Sequence, residues 1–100
     1  MIKKIVLSLI AILGISFAAM AQKQVTGTVV DQSGAPVPGA SVMVQGTNIG
    51  AVTDLDGHFT IKATDKDVLA FSFFGMKDEV VAVGSQSVIN VTLAEDALMG

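Results

Sequence analysis

The sequence predicts an all-β fold, a seven-stranded antiparallel β-sandwich, and three observations carry that reading. Beyond residue 22 the apolar residues recur with a period of two, and no helical period is present. The alternating runs are rich in Val, Ile, Thr and Phe, which suit a pleated, half-buried surface. Clusters of Gly, Pro, Asp, Asn and Ser break the runs at short, regular intervals, as they do between the strands of a sandwich.

The first strand is read as Gln24–Asp31, with Val25, Gly27 and Val29 sharing one face. Residues 32–36 (Gln-Ser-Gly-Ala-Pro) turn the chain, and Val37-Pro38-Gly39 extends the turn because Pro lacks an N–H and biases its predecessor toward extended geometry. Ala40–Gln45 is the second strand, with Ala40, Val42 and Val44 inward. A loop at 46–50 leads to a short strand at Ala51–Thr53. Asp54-Leu55-Asp56-Gly57 then makes a tight turn, since Asp side chains bond nearby backbone N–H groups and Gly57 can take a positive φ. His58–Ala63 follows with Phe59 and Ile61 inward.

Val68–Phe74, after a charged turn at 64–67, is the most apolar run and is expected to be a central strand, with Leu69, Phe71 and Phe73 on one face. Lys77–Val83 is compatible with either register, because Val80 to Val83 are consecutive apolar residues. Val88–Ala94 closes the sandwich with Ile89, Val91 and Leu93 inward. Phe59, Phe71, Phe73 and Phe74 are expected to supply much of the core, and Phe71→Ala to be the most damaging substitution.

Residues 1–21 stand apart. Lys3 and Lys4 precede an uncharged apolar run from Ile5 to Phe17, and Ala19-Met20-Ala21 supplies small residues before a cut. This is the layout of a secretory signal peptide with cleavage before Gln22. A retained anchor is the alternative, but thirteen apolar residues fall short of the ~20 that span a bilayer. The folded domain is therefore expected at 22–96, with 97–100 a tail or linker. An exported chain without Cys must hold together by packing alone, and without Cys the leader is not of the lipoprotein type.

Composition excludes whole classes of function. Removal of Lys3 and Lys4 leaves four Lys against nine acidic residues. There is no Arg, Trp or Tyr, so the phosphate-binding and base-stacking residues of nucleic-acid proteins are missing. His58 is the one histidine, and a metal site would have to recruit carboxylates such as Asp54, Asp56 or Asp65. Asp54-Leu55-Asp56-Gly57 begins like a calcium loop, yet Asp65 stands where position 12 needs a Glu and a strand pattern intervenes. No Gly-x-Ser-x-Gly elbow and no phosphate-cradling glycine loop occurs. Asn90-Val91-Thr92 fits a glycosylation sequon but is read as outward-facing strand positions. The sequence is therefore read as non-enzymatic, with no catalytic, metal or cofactor-binding residues and no cofactor.

Five stretches occur in family order: 25–31 (Val-Thr-Gly-Thr-Val-Val-Asp), 34–46 (Gly-Ala-Pro-Val-Pro-Gly-Ala-Ser-Val-Met-Val-Gln-Gly), 53–59 (Thr-Asp-Leu-Asp-Gly-His-Phe), 71–76 (Phe-Ser-Phe-Phe-Gly-Met) and 89–96 (Ile-Asn-Val-Thr-Leu-Ala-Glu-Asp). Together they resemble the carboxypeptidase-D regulatory-like domain, in particular the copy at the N-terminus of SusC/RagA-type TonB-dependent outer-membrane receptors. The resemblance implies a transthyretin-like sandwich on the periplasmic side of the outer membrane, ahead of a TonB-contacting segment, a plug and a barrel. Met76 departs from the pattern, since such receptors commonly carry an aromatic there. The implied role is an accessory domain of a glycan or peptide uptake receptor, present as an N-terminal fragment or a stand-alone copy. Its implied partners are proteins: the rest of a receptor, or periplasmic and energy-transducing proteins meeting an exposed sheet edge, with no direct small-molecule substrate. The alternative is an independent secreted module that binds carbohydrate or stabilises a neighbour. The lack of Trp and Tyr weighs against sugar stacking.

Overall fold

Nine residues of β1 (Lys23–Asp31) form the spine of one sheet because both of its edges are used. The computed structural model describes residues 22–96; the proposed leader at 1–21 and tail at 97–100 lie outside the described residues. Along β1, Val25, Gly27 and Val29 point into the core, the face that alternation predicts. β4 (His58–Ala63) pairs antiparallel with its first half, Thr28 opposite His58 and Lys23 opposite Ala63. β7 (Val91–Leu93) lies along its other edge. The second sheet has the order β3 (Gly50–Val52), β2 (Ser41–Val44), β5 (Val68–Ser72), β6 (Glu79–Ala82), all antiparallel. β5 is internal to that sheet, as its apolar run predicted.

All seven strands form, but the two sheets are not wholly antiparallel. β1 and β7 are parallel, with Val29 opposite Val91 and Asp31 opposite Leu93. The reason is a crossover. The turn after Val83 carries the chain between sheets at the end where β1 begins, so β7 leaves that end in the same direction as β1. Backbone bonds from Thr26 N to Ser87 O (3.0 Å) and from Ile89 N to Thr26 O (2.8 Å) start this ladder before the regular strand.

The core runs between the sheets. Val25, Val29, Phe59, Ile61, Val91 and Leu93 from one layer meet Val42, Val44, Leu69 and Phe71 from the other. Phe59 and Phe71 cross it edge to face, ring centroids 5.4 Å apart, an arrangement worth about 0.5–1.5 kcal/mol beyond the buried area. Phe73 and Phe74 correct the expectation of a four-ring core. β5 ends at Ser72 and the chain turns through Gly75 (φ +80°), leaving Phe73 at 37% and Phe74 at 89% exposure. The register of β6 is settled by its neighbours: Val81 and Val83 pack inward, while Val80 and Ala82 face out.

Two glycines are demanded by close approach. A Cβ on Gly27 would overlap the carbonyl oxygen of Ile89 and sit 2.8 Å from the Phe59 ring, so the β1–β7 contact exists only without one. Gly57, at φ +78°, brings its turn within reach of the Val29 carbonyl, to which a Cβ would stand at 2.5 Å. Thr53 is buried at the seam between the sheets. Its hydroxyl donates to Val37 O (2.6 Å) and accepts from Ala40 N (2.8 Å), so no polar group is stranded there.

Candidate functional site

The turn at 54–57 has the predicted chemistry. Asp54 Oδ1 accepts from the backbone N–H groups of Asp56 (2.9 Å) and His58 (3.0 Å), and Gly57 N donates to Asp54 O (2.9 Å). One potential ligand atom from each of Asp54, Asp56 and His58 falls within 4.8 Å of the others, and all three residues are exposed. Asp65 does not join them: it lies at the opposite end of the sandwich, 2.7 Å from Lys23 Nζ. Asp54 is engaged in holding its own turn, which is sufficient reason for its presence. Asn90 of the sequon is likewise engaged, its Oδ1 accepting from Thr28 N (3.1 Å) and filling a rung of the parallel ladder.

The strand directions sort the charges to two poles. At the entry pole, where β1 begins, lie Lys23, Lys62, Lys66, Asp65 and Asp67. At the exit pole, where the described chain leaves at 94–96, lie Asp31, Asp54, Asp56, Asp78, Glu79, Glu95 and Asp96, with Lys77 the one lysine among the described residues there. No periodicity in the sequence could have shown this, because the acidic residues come from four separate turns and strand ends.

A groove of about 350 Å³ opens at the exit pole, lined by Asp31, Gln32, Ser33, Met76, Leu93 and Glu95. It forms because residues 75–77 and 94–96 pair as a short antiparallel bridge, with Lys77 N bonded to Ala94 O (2.9 Å) and Asp96 N to Gly75 O (3.0 Å). Its apolar floor is Leu93, which is fully buried, and Met76, which is half-buried against the core. Asp31 is fixed at its rim. Oδ1 accepts from Ser33 N (2.9 Å), Ser33 Oγ (2.6 Å) and Ala35 N (3.1 Å). The Ser33 hydroxyl above all, with the backbone N–H groups of Ala35, Ser33 and Gly34, holds the carboxyl below the ordinary aspartate range against a smaller opposing effect of desolvation. Sequence reasoning missed this groove, although it flagged Met76 as unusual.

The two outer faces also differ. β4 and β7 present His58, Thr60, Lys62 and Thr92 to solvent. The outer face of the other sheet carries Ser41, Met43, Gly50, Val52, Ala70, Ser72 and Val80, with no charge along these rows. β3 and β6 are its edges. Among the described residues no helix is long and apolar enough to cross a membrane.

A small two-sheet sandwich with paired turns, free strand edges and a groove where the chain leaves defines a β-sandwich domain rather than a pocketed fold. The chain belongs to the CarboxypepD_reg-like domain family, whose model matches residues 25–100. It is 42% identical over 94 residues to the TonB-dependent receptor SusC of Bacteroides thetaiotaomicron, covering 93% of this chain and 9% of that protein. It is 39% identical over 74 residues to the TonB-dependent receptor P39 of Formosa agariphila, covering 73% of this chain and 7% of that one. The chain thus spans less than a tenth of the length of these two relatives. Among solved structures it is similar to a cohesin–X-dockerin complex (Coh3ScaB–XDoc) from Acetivibrio cellulolyticus, with TM-score 0.60 at 21% identity, over 73% of this chain and 58% of that one. That likeness is one of fold.

Proposed function

We propose that residues 22–96 form a non-catalytic accessory domain of a TonB-dependent nutrient-uptake receptor, acting in the periplasm by contacting other proteins after loss of a leader at 1–21. The observation that carries this reading is 42% identity to a SusC receptor across nearly the whole chain. It has the transthyretin-like sandwich of its family, takes no cofactor, and recognises neighbouring polypeptide rather than the imported glycan or peptide. The fold supplies an open strand edge as a means of contact. β6 is an unpaired edge without Lys or Pro to discourage strand addition, and backbone bonding along such an edge is a general mode of peptide capture.

The absence of Cys makes the test direct. A single Cys at Val80, which is 54% exposed on β6, gives the chain one thiol for cross-linking in exporting cells. The reading expects adducts containing a TonB-dependent barrel or an energy-transducing periplasmic protein, identified by mass spectrometry. Absence of adducts together with retarded migration in gels containing starch or another glycan would overturn it in favour of a carbohydrate-binding module.

A further inference from the structure

We propose that the exit-pole groove seats an extended basic segment of a partner protein, with cationic side chains directed at Asp31 and Glu95 and an apolar side chain against Met76. The proposal deepens the accessory-domain reading and rests on it for the existence of a protein partner.

The shape, the chemistry and the charge of this end agree. A groove of about 350 Å³ has room for one or two side chains rather than a folded element. Its floor of Met76 and Leu93 suits the aliphatic stem of a lysine or arginine, which buries its methylenes while the charged head stays at the rim. Asp31 and Glu95 stand at that rim, and Asp31 is already oriented by Ser33 and Ala35, so binding orders little that is not ordered beforehand. Phe74 follows Phe73 on the turn that ends at Met76 and is 89% exposed, an unusual position for a ring in a domain with only two phenyl rings fully in its core. The surrounding pole is strongly acidic, which would steer a basic segment toward the groove and repel an acidic one.

The test uses the whole chain and two fluorescein-labelled twelve-residue peptides, one alternating Lys and Val, the other alternating Glu and Val. Anisotropy is followed at low and moderate salt, and amide shifts are mapped by NMR. The Lys peptide is expected to bind and the Glu peptide not, with shifts centred on residues 31–33, 74–76 and 93–95. Glu95→Gln should weaken binding by about two- to fivefold, the range of an exposed ion pair. Phe74→Ser should also weaken it, while Asp65→Asn at the opposite pole should leave it unchanged. No binding of the Lys peptide, equal binding of both, shifts spread over both poles, or indifference to Glu95→Gln would overturn the assignment. Receptor or energy-transducing adducts at Val80 alongside a silent groove would remove this site and leave the accessory-domain reading standing; loss of both would remove the two together.

Discussion

Gly27→Ala adds one methyl group and is expected to be among the most destabilising substitutions in the chain. The new Cβ would overlap Ile89 O, lie 2.7 Å from Ile89 C, and lie 2.8 Å from Phe59 Cε1. Two of these atoms are backbone, so no rotamer change relieves them. β7 must move away from β1, or the Phe59 ring must leave its contact with Phe71. Overpacking of this kind costs about 1–3 kcal/mol. Displacing the ladder also weakens Thr26 N to Ser87 O and Ile89 N to Thr26 O, each worth about 1 kcal/mol. The sum, about 3–5 kcal/mol, matches the whole stability of roughly 3–5 kcal/mol that a core of this size supplies. Urea unfolding followed by far-UV circular dichroism measures it directly. A Gly27→Ala chain unfolding within about 0.5 kcal/mol of the parent, the spread of an inert surface change, would refute the close approach of β1 and β7.

The remaining predictions concern the rings and the acid limb. Phe71→Ala should cost about 3–5 kcal/mol because the ring is fully enclosed, whereas Phe74→Ala should leave the thermal midpoint near that of the parent; equal losses would overturn the two-ring core. The depressed Asp31 carboxyl contributes stability that is fully present above the ordinary aspartate value of about 3.9 and is lost as pH falls through the lower folded value. The parent should therefore melt above Asp31→Asn at pH 6, and the gap should close on titration toward pH 2. A gap that widens with acid would contradict the hydrogen bonds at Ser33 and Ala35.

Much of this molecule was fixed locally. His58–Ala63 reads as a strand with Phe59 and Ile61 inward and is one, because strict alternation over six residues leaves a single way to bury its apolar face. The Asp54–Gly57 turn was legible for the same reason: its Asx bonds and the positive φ of Gly57 involve neighbours in sequence only. Phe73 and Phe74 were not legible, since two adjacent rings continue an apolar run whether or not the strand continues, and Gly75 alone did not say that the turn begins at Phe73.

What the sequence determined by itself was thus the strand count, the inward faces of the strictly alternating strands such as β1, β2 and β4, and the chemistry of the Asp54–Gly57 turn, all set by interactions within a few residues. The tertiary structure decided what depends on which pieces meet. It paired β7 parallel to β1 across a sheet-to-sheet crossover. It gathered seven of the nine acidic residues, from separate turns and strand ends, at one pole. It opened a groove between Asp31, Met76 and Glu95, residues up to sixty-four positions apart in the chain. Those choices follow from the direction in which each strand enters its sheet, and side-chain alternation is the same in either direction.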